Sequence, residues 1–137
     1  MRKKKSPYQR AKDALDAVCN MFIKLRDKKK YGGVCPICGK RPIQCWFHFI
    51  PRGATAIRWH IWNSCGACNG CNMEERNRRG MPEYMEKLKA RHAEMFGPDA
   101  WGTLERVERE ERIYKRSAAE LLEVKKEFED RMAEGRY

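Results

Sequence analysis

No stretch of about 18 consecutive apolar residues occurs in this sequence of 137 residues, so we expect no membrane-spanning helix. The basic N-terminus, MRKKKSPYQR, is not followed by the apolar segment that a secretory signal requires. These two absences predict a cytoplasmic protein. In a reducing compartment, clustered cysteines are more often metal ligands than disulfide partners.

The sequence also has little apolar character for its length. Its mean hydropathy is -0.86, and 36% of its residues are charged. A core this small usually needs another source of stability, such as a bound metal ion. The length of 137 residues predicts one domain, over residues 6–137, behind a basic, disordered tail at residues 1–5.

Acidic residues are scarce in the first part of the chain. Residues 1–80 hold 18 Lys/Arg and 5 Asp/Glu, whereas residues 81–137 hold 12 Lys/Arg and 14 Asp/Glu. A basic segment of this kind favours a nucleic acid partner, although an ordinary solvated surface gives the same composition. A membrane surface is disfavoured, because the basic residues flank no apolar stripe with aromatics.

Helical signals dominate both ends of the chain. In the segment 6–30, Ser6 is a predicted N-cap before Pro7, and apolar residues follow at helical spacing. The segment 81–137 contains three further helical patterns, and the last of them begins after a capping residue, Ser117. We therefore predict an N-terminal helix and a group of C-terminal helices.

The middle segment, residues 31–80, is rich in Gly, Pro, Cys and Trp and has no long helical periodicity. Residues 44–50 (QCWFHFI) and residues 56–62 predict two short strands. A helix is expected from about Asn72 until Gly80 breaks it. The predicted fold is α+β and mostly α, with a small metal-stabilised core between the terminal helices.

Two cysteine-rich turns in this segment predict a metal site. CPICGK supplies Cys35 and Cys38, and NSCGACNGCN supplies Cys65, Cys68 and Cys71. Two Cys-x-x-Cys pairs about 30 residues apart predict a tetrahedral structural zinc site with four thiolate ligands. The spacing alone leaves open which neighbouring pair of the last three cysteines completes it. Such a site is closed, so the zinc is expected to stabilise the fold rather than catalyse a reaction.

A histidine and two asparagines stand in a suggestive order around the cysteines. A lone histidine among apolar residues, such as His48, is usually a packed side chain, but here Asn63 and Asn72 follow it. The order His, Asn, Cys-x-x-Cys-Asn is similar to that of HNH (ββα-metal, or His-Me finger) nucleases. The resemblance implies that His48 is the general base, that Asn63 orients it, and that Asn72 binds a catalytic Mg²⁺ or Mn²⁺.

A wider resemblance covers about residues 10–107. The motifs that carry it are FIKLRD at 22–27, CPICG at 35–39, HFIPRG at 48–53, IRWHIWN at 57–63, CNGCN at 68–72, and the later Gly80, Tyr84, Leu88 and Phe96-Gly97. In these motifs the chain resembles the NinG (Rap) family of phage recombination proteins. The resemblance implies a DNA endonuclease that acts on branched intermediates such as Holliday junctions and D-loops. It also implies a phage or prophage gene expressed in a bacterial cytoplasm. The zinc–HNH arrangement is similar to phage endonuclease VII as well.

The resemblance also bears on the zinc ligands. In the family, four residues separate the middle asparagine from the second cysteine pair, and the last asparagine follows that pair directly. Counted from Asn63, this implies Cys68 and Cys71 as ligands and leaves Cys65 outside the site.

The sequence departs from the wider motif at two positions. Many HNH enzymes have a metal-binding Asp or His just before the general base, where this chain has Phe47. His60 stands where the family has Asp, so it is either a further ligand of the catalytic metal or a surface histidine. Only two carboxylates, Glu74 and Glu75, lie between residues 28 and 82.

Five arginines lie near the proposed site in the sequence, and we expect them to contact DNA phosphates: Arg52, Arg58, Arg76, Arg78 and Arg79. Three tryptophans, at positions 46, 59 and 62, either stack on unpaired bases or pack the core beside the zinc. Two symmetric cuts in a junction would require a homodimer. The alternatives to a nuclease are a DNA-binding recombination accessory protein without cleavage, and a zinc-ribbon module that binds RNA or protein.

Overall fold

Five helices and one two-stranded sheet make up the computed structural model, which describes all residues from 1 to 137. In chain order the elements are α1 (Pro7–Tyr31), β1 (Cys45–His48), β2 (Ser64–Ala67), α2 (Asn69–Arg78), α3 (Pro82–Phe96), α4 (Ala100–Glu111) and α5 (Ala118–Ala133). The chain is thus a small, mostly helical α+β protein, as its sequence predicts. None of its helices combines the length and apolar character needed to cross a membrane.

The first and last helices begin at the residues that the sequence predicts. The Ser6 hydroxyl accepts the backbone N–H of Gln9 at 3.1 Å, which satisfies one of the free donors at the start of α1. At α5, Ser117 and Glu120 form a reciprocal capping box. Helix α1 ends at Gly32, which takes the left-handed conformation (φ 63°) that glycine adopts without steric cost.

Helices α1 and α5 pack side by side and form one of two apolar clusters. The rings of Phe22 on α1 and Phe128 on α5 have centroids 4.9 Å apart. Two tryptophans of the middle segment, Trp46 and Trp59, are also buried in this cluster. The long terminal helices therefore bury an apolar face jointly, and this face also receives side chains from the segment between them.

The sheet is an antiparallel pair in which Cys45 lies opposite Ala67 and His48 lies opposite Ser64. The predicted second strand at residues 56–62 is wrong, because this segment forms successive turns. Backbone N–H groups there bond to carbonyls three residues back, as from His60 to Ile57 at 3.0 Å. The apolar alternation of residues 57–61 resembles a strand, but the pairing partner of β1 is the short segment SCGA.

Strand β2 is held against α1 by buried polar groups. The Asp27 carboxylate accepts the backbone N–H of Gly66 at 2.7 Å and also pairs with Arg26. Arg26 in turn donates to the backbone carbonyl of Ser64 at 2.9 Å. A side chain at position 66 would meet Ile43 at 2.7 Å, so glycine permits this close approach.

The second apolar cluster lies between the sheet, α3 and the cysteine-rich turns. It contains Phe47 and Phe49 from the first strand region and Leu88 and Met95 from α3. His92 of α3 is fully buried beside Phe49, and its Nε2 donates to the backbone carbonyl of Trp62 at 2.7 Å. Four buried cysteines also belong to this cluster: Cys35, Cys65, Cys68 and Cys71.

We predict that Asp27→Asn destabilises the fold by about 3–5 kcal/mol, because it leaves the largely buried Arg26 guanidinium without a counter-charge. The measurement is equilibrium unfolding in urea with zinc present. Asp130→Asn is the matched control, since Asp130 forms an exposed pair with Lys126 and should change stability by about 0.5 kcal/mol or less. Equal effects of the two substitutions would contradict a special role for Asp27.

Candidate metal centre and adjoining cleft

Four cysteine sulfurs converge between the turn after α1 and the start of α2. The Sγ atoms of Cys35, Cys38, Cys68 and Cys71 all lie within 4.8 Å of one another. Two of the separations are 3.9 Å (Cys35 to Cys71) and 3.8 Å (Cys38 to Cys68). Tetrahedral zinc with Zn–S bonds of about 2.3 Å places its sulfurs about 3.8 Å apart. The cluster therefore has the size and donor chemistry to hold a structural metal such as zinc.

Local backbone structure builds both halves of this cluster. In the first turn, the N–H of Gly39 donates to the carbonyl of Cys35 at 2.8 Å, and Gly39 has a positive φ of 66°. In the second half, Cys68 is the N-cap of α2, and its Sγ accepts the N–H of Cys71 at 3.3 Å. The start of α2 and the second half of the metal centre are thus one structure.

The thiols of the cluster differ in acidity. Burial raises the pKa of Cys35 and of Cys71. At Cys38, burial acts in the same direction, but hydrogen bonds from the backbone at Arg41 and Lys40 outweigh it and lower the pKa to about 6. One thiolate is therefore favoured near neutral pH before metal binds, and a bound cation would displace the remaining thiol protons.

Cys65 lies outside the cluster. It is fully buried in β2 opposite Phe47, and burial raises the pKa of its thiol well above the usual range. Of the two pairs that the spacing left open, the one that meets Cys35 and Cys38 is therefore Cys68 with Cys71. Cys65 is a packing residue of the core.

A polar cleft of about 300 Å³ adjoins the metal centre. It lies between the end of β1, the turn that follows it and one face of α2. Its lining residues are Trp46, His48, Pro51, Arg52, Asn72, Glu75, Arg76 and Arg79. From α2 come Asn72 and, three, four and seven residues later, Glu75, Arg76 and Arg79, a spacing that places all four on one face of the helix. The fold thereby brings His48 and Asn72 to one site.

His48 is held at the inner wall of this cleft. Its Nε2 lies 3.1 Å from the backbone carbonyl oxygen of Arg58. A carbonyl oxygen only accepts hydrogen bonds, so Nε2 carries the proton and Nδ1 keeps its lone pair. Burial, reinforced by the nearby charge of Arg52, lowers the pKa of His48 to about 4. The imidazole is thus neutral at pH 7 and has one free basic nitrogen.

Asn63 acts on the loop that follows His48 rather than on the imidazole itself. Its side-chain oxygen accepts the N–H of Ile50 at 2.9 Å. Its amide nitrogen donates to the carbonyls of Ile50 at 3.1 Å and Ile57 at 3.2 Å. The buried carboxamide therefore ties both ends of the 50–57 loop together, and this loop forms one side of the cleft.

The five arginines expected at DNA divide into two groups. Arg52, Arg76 and Arg79 line the cleft. Arg58 instead forms a largely buried ion pair with Asp16 on α1. Arg78 pairs with Glu74 and lines a different cavity. The sequence had no signal for the Arg58 contact, because Asp16 lies 42 residues away along the chain.

His60 does not reach the cleft. Its Nδ1 accepts the backbone N–H of Trp62 at 3.0 Å, and its ring lines a separate cavity of about 270 Å³ beside Val107 and Glu111. Burial lowers the pKa of this histidine. The structure therefore does not bring His60 together with His48 and Asn72.

Glu75 is a cleft residue that the sequence did not single out as part of the site. Its carboxylate pairs with Arg79 one helical turn later, and Arg79 also donates to the backbone carbonyl of Phe49 at 2.5 Å. The available signal was its position three residues after Asn72, which places both side chains on one helix face.

Comparisons with known proteins identify no relative of this chain. No protein-family model matches the chain, and neither the curated proteins nor the solved structures include a match.

We predict that the purified protein binds zinc through the four clustered thiols, so Cys71→Ser should lose most of the metal. Cys65→Ser is the matched control and should retain it, because Cys65 lies in the same segment but outside the cluster. The measurement is metal content by mass spectrometry, with circular dichroism before and after chelation. Zinc retained by Cys71→Ser and lost by Cys65→Ser would reverse the ligand assignment.

Proposed function

We propose that this protein is a zinc-stabilised, metal-dependent endonuclease of the HNH type that cleaves branched DNA, as its resemblance to the NinG family implies. The observation that carries the proposal is the shared cleft. There a neutral histidine with a free Nδ1 shares the cleft with two oxygen-bearing side chains, Asn72 and Glu75. Three arginines also line this cleft.

The order of elements supports the same proposal. A strand that ends in His48 pairs with a second strand, and α2 follows after a single residue, Cys68. This order agrees with a ββα-metal arrangement, in which the histidine and the helix side chains face one another. The zinc-binding thiol that caps α2 would fix the helix at that position.

His48 would serve as the general base. A base must be unprotonated at the working pH and have a nitrogen free to accept a proton from the attacking water. The lowered pKa meets the first requirement, and the hydrogen bond from Nε2 to the Arg58 carbonyl meets the second, because it leaves Nδ1 available.

The oxygen donors of the cleft suit a divalent cation. Mg²⁺ prefers oxygen ligands and retains several waters, so Asn72 and Glu75 could hold it together with a substrate phosphate. When bound, such an ion stabilises negative charge on the phosphate and the leaving oxygen. Phe47 contributes nothing here, because its ring is buried against Phe49 on the opposite face of the strand.

The basic residues of the cleft would hold the DNA backbone. Arg52 and Arg76 are exposed at its edge, where their guanidinium groups can pair with phosphates. Such contacts position DNA without reading its sequence, which fits recognition of a branched shape. Trp46 and Trp59 are buried, which favours the packing role for them over base stacking.

The second candidate is a DNA-binding recombination accessory protein that does not cleave. Two observations favour it. Phe47 replaces the ligand that precedes the base in many HNH enzymes, and the Glu75 carboxylate is already paired with Arg79. Both features weaken a cation site while leaving the basic surface intact.

We predict that the wild type cuts a synthetic four-way junction in Mg²⁺ or Mn²⁺ and that His48→Ala lowers the rate by about 10²–10⁴-fold, the usual contribution of a general base. The variant should still bind the junction. A gel assay with labelled strands, run beside a linear duplex of the same sequence, measures cutting and binding together.

Four results would count against all or part of this proposal. A junction that is shifted but not cut by the wild type would favour the accessory protein. Cutting that survives His48→Ala would remove the base assignment, and equal cutting of linear duplex would remove the preference for branches. Binding of RNA alone would favour a zinc-ribbon module.

We also predict that Glu75→Gln raises the Mg²⁺ concentration for half-maximal cutting by about tenfold or more, since Mg²⁺ prefers charged oxygen ligands. Glu74→Gln is the control, because Glu74 is exposed, pairs with Arg78 and does not line the cleft. The measurement is the cleavage rate across a magnesium titration. A larger effect from Glu74→Gln would show that Glu75 is not the ligand.

A further inference from the structure

Asp16 on α1 gathers three N–H donors from two consecutive residues of the loop before β2. Arg58 donates to it from Nε at 2.9 Å and from Nη2 at 2.7 Å, and the indole of Trp59 donates at 2.8 Å. The Arg58 guanidinium also reaches the backbone carbonyl of Arg52 at 3.4 Å. One carboxylate thus anchors two residues of an irregular loop to the longest helix of the fold.

Arg58 also contacts His48, through its backbone. The backbone carbonyl oxygen of Arg58 accepts the hydrogen bond from the Nε2–H of His48, and the two heavy atoms are 3.1 Å apart. Successive backbone turns shape this loop, but no backbone N–H bonds to the Arg58 carbonyl. Side chains hold the loop to the rest of the fold. Asn63 donates a hydrogen bond to the loop at Ile57, and Asp16 accepts hydrogen bonds from the next two residues, Arg58 and Trp59.

We propose that Asp16 is a positioning residue for the general base. Through the Arg58 side chain it fixes the Arg58 carbonyl, which in turn keeps His48 in the tautomer with a free Nδ1. This inference rests on the proposed nuclease function, but its first consequence, the tautomer, concerns the protein alone. The proposal also changes the role of Arg58. The sequence predicts a contact with DNA phosphates for this residue, whereas here it links Asp16 to His48.

The geometry favours positioning over a merely stabilising role for this ion pair. The Arg58 side chain is 10% exposed and that of Asp16 is 23% exposed, so solvent screens the pair only in part. The two charged groups hold a fork geometry with two parallel hydrogen bonds, which restrains orientation as well as distance. The residue so restrained carries the hydrogen-bond acceptor for His48.

The test compares Asp16→Asn with Asp13→Asn, a matched control one turn earlier on α1 whose exposed carboxylate pairs with Lys5 and Gln9. Long-range ¹H–¹⁵N spectra of zinc-loaded protein at pH 7 report the tautomer of each of the three histidines. His60 and His92 are internal references. Junction cleavage and junction binding are measured on the same samples.

We expect wild type and Asp13→Asn to show His48 only as the Nε2–H tautomer. Asp16→Asn should show a mixture of tautomers at His48 alone. Its cleavage rate on saturating junction should fall about tenfold with binding unchanged, because general-base catalysis needs an oriented nitrogen. Asp16→Glu keeps the charge but displaces it, so it should show a smaller change of both kinds. It becomes the deciding variant if Asp16→Asn does not fold.

A folded Asp16 variant whose His48 tautomer matches the wild type would overturn the proposal, even if cleavage or stability fell, since that result describes a structural role only. A mixture at all three histidines would do the same, because it indicates general loosening. If the wild type does not cut DNA, the nuclease proposal fails by itself. The tautomer comparison then still decides whether Asp16 positions His48.

Discussion

The rest of the site depends on one atom, the sulfur of Cys68. It belongs to the four-sulfur cluster and also accepts the N–H of Cys71 as the N-cap of α2. Metal ligation would therefore fix where α2 starts and which way its Asn72 and Glu75 face. In a chain with a mean hydropathy of -0.86, a bound metal would also supply stability that apolar burial provides in larger domains.

Burial explains both the charge state and the orientation of His48. Its ring lies against Trp46 and beneath the loop that carries Arg58, so the imidazolium form loses its hydration and the neutral form is favoured. The same enclosure puts a carbonyl next to Nε2 and so selects the tautomer. The surrounding protein thus sets both the charge and the orientation of His48. It does so with an irregular loop that side chains such as Asn63 hold in place.

The parts of the fold that depend on neighbouring residues could be predicted from the sequence, and most parts that depend on distant ones could not. The metal cluster is the exception, because each of its halves has its own local Cys-x-x-Cys spacing. Ser6 and Ser117 cap their helices through residues three positions away, so the signals are local. The strand SCGA has low strand propensity and forms because α1 and β1 bury it, which no local pattern records. Arg58 looked like a phosphate contact because its partner, Asp16, comes from α1.

The pairing of Glu75 with Arg79 sets a condition on any cation in the cleft. Without an added cation, the Arg79 guanidinium neutralises the Glu75 carboxylate. A second N–H of the same guanidinium donates to the backbone carbonyl of Phe49. A divalent ion would have to compete with Arg79 for this group, and Phe47 offers no further ligand. Two protein donors in such competition give weak binding, so phosphate oxygens of the DNA would have to complete the site. If the proposed nuclease function holds, this competition requires the cation and the DNA to bind cooperatively, and the cleft would then be complete for cleavage only when both are present.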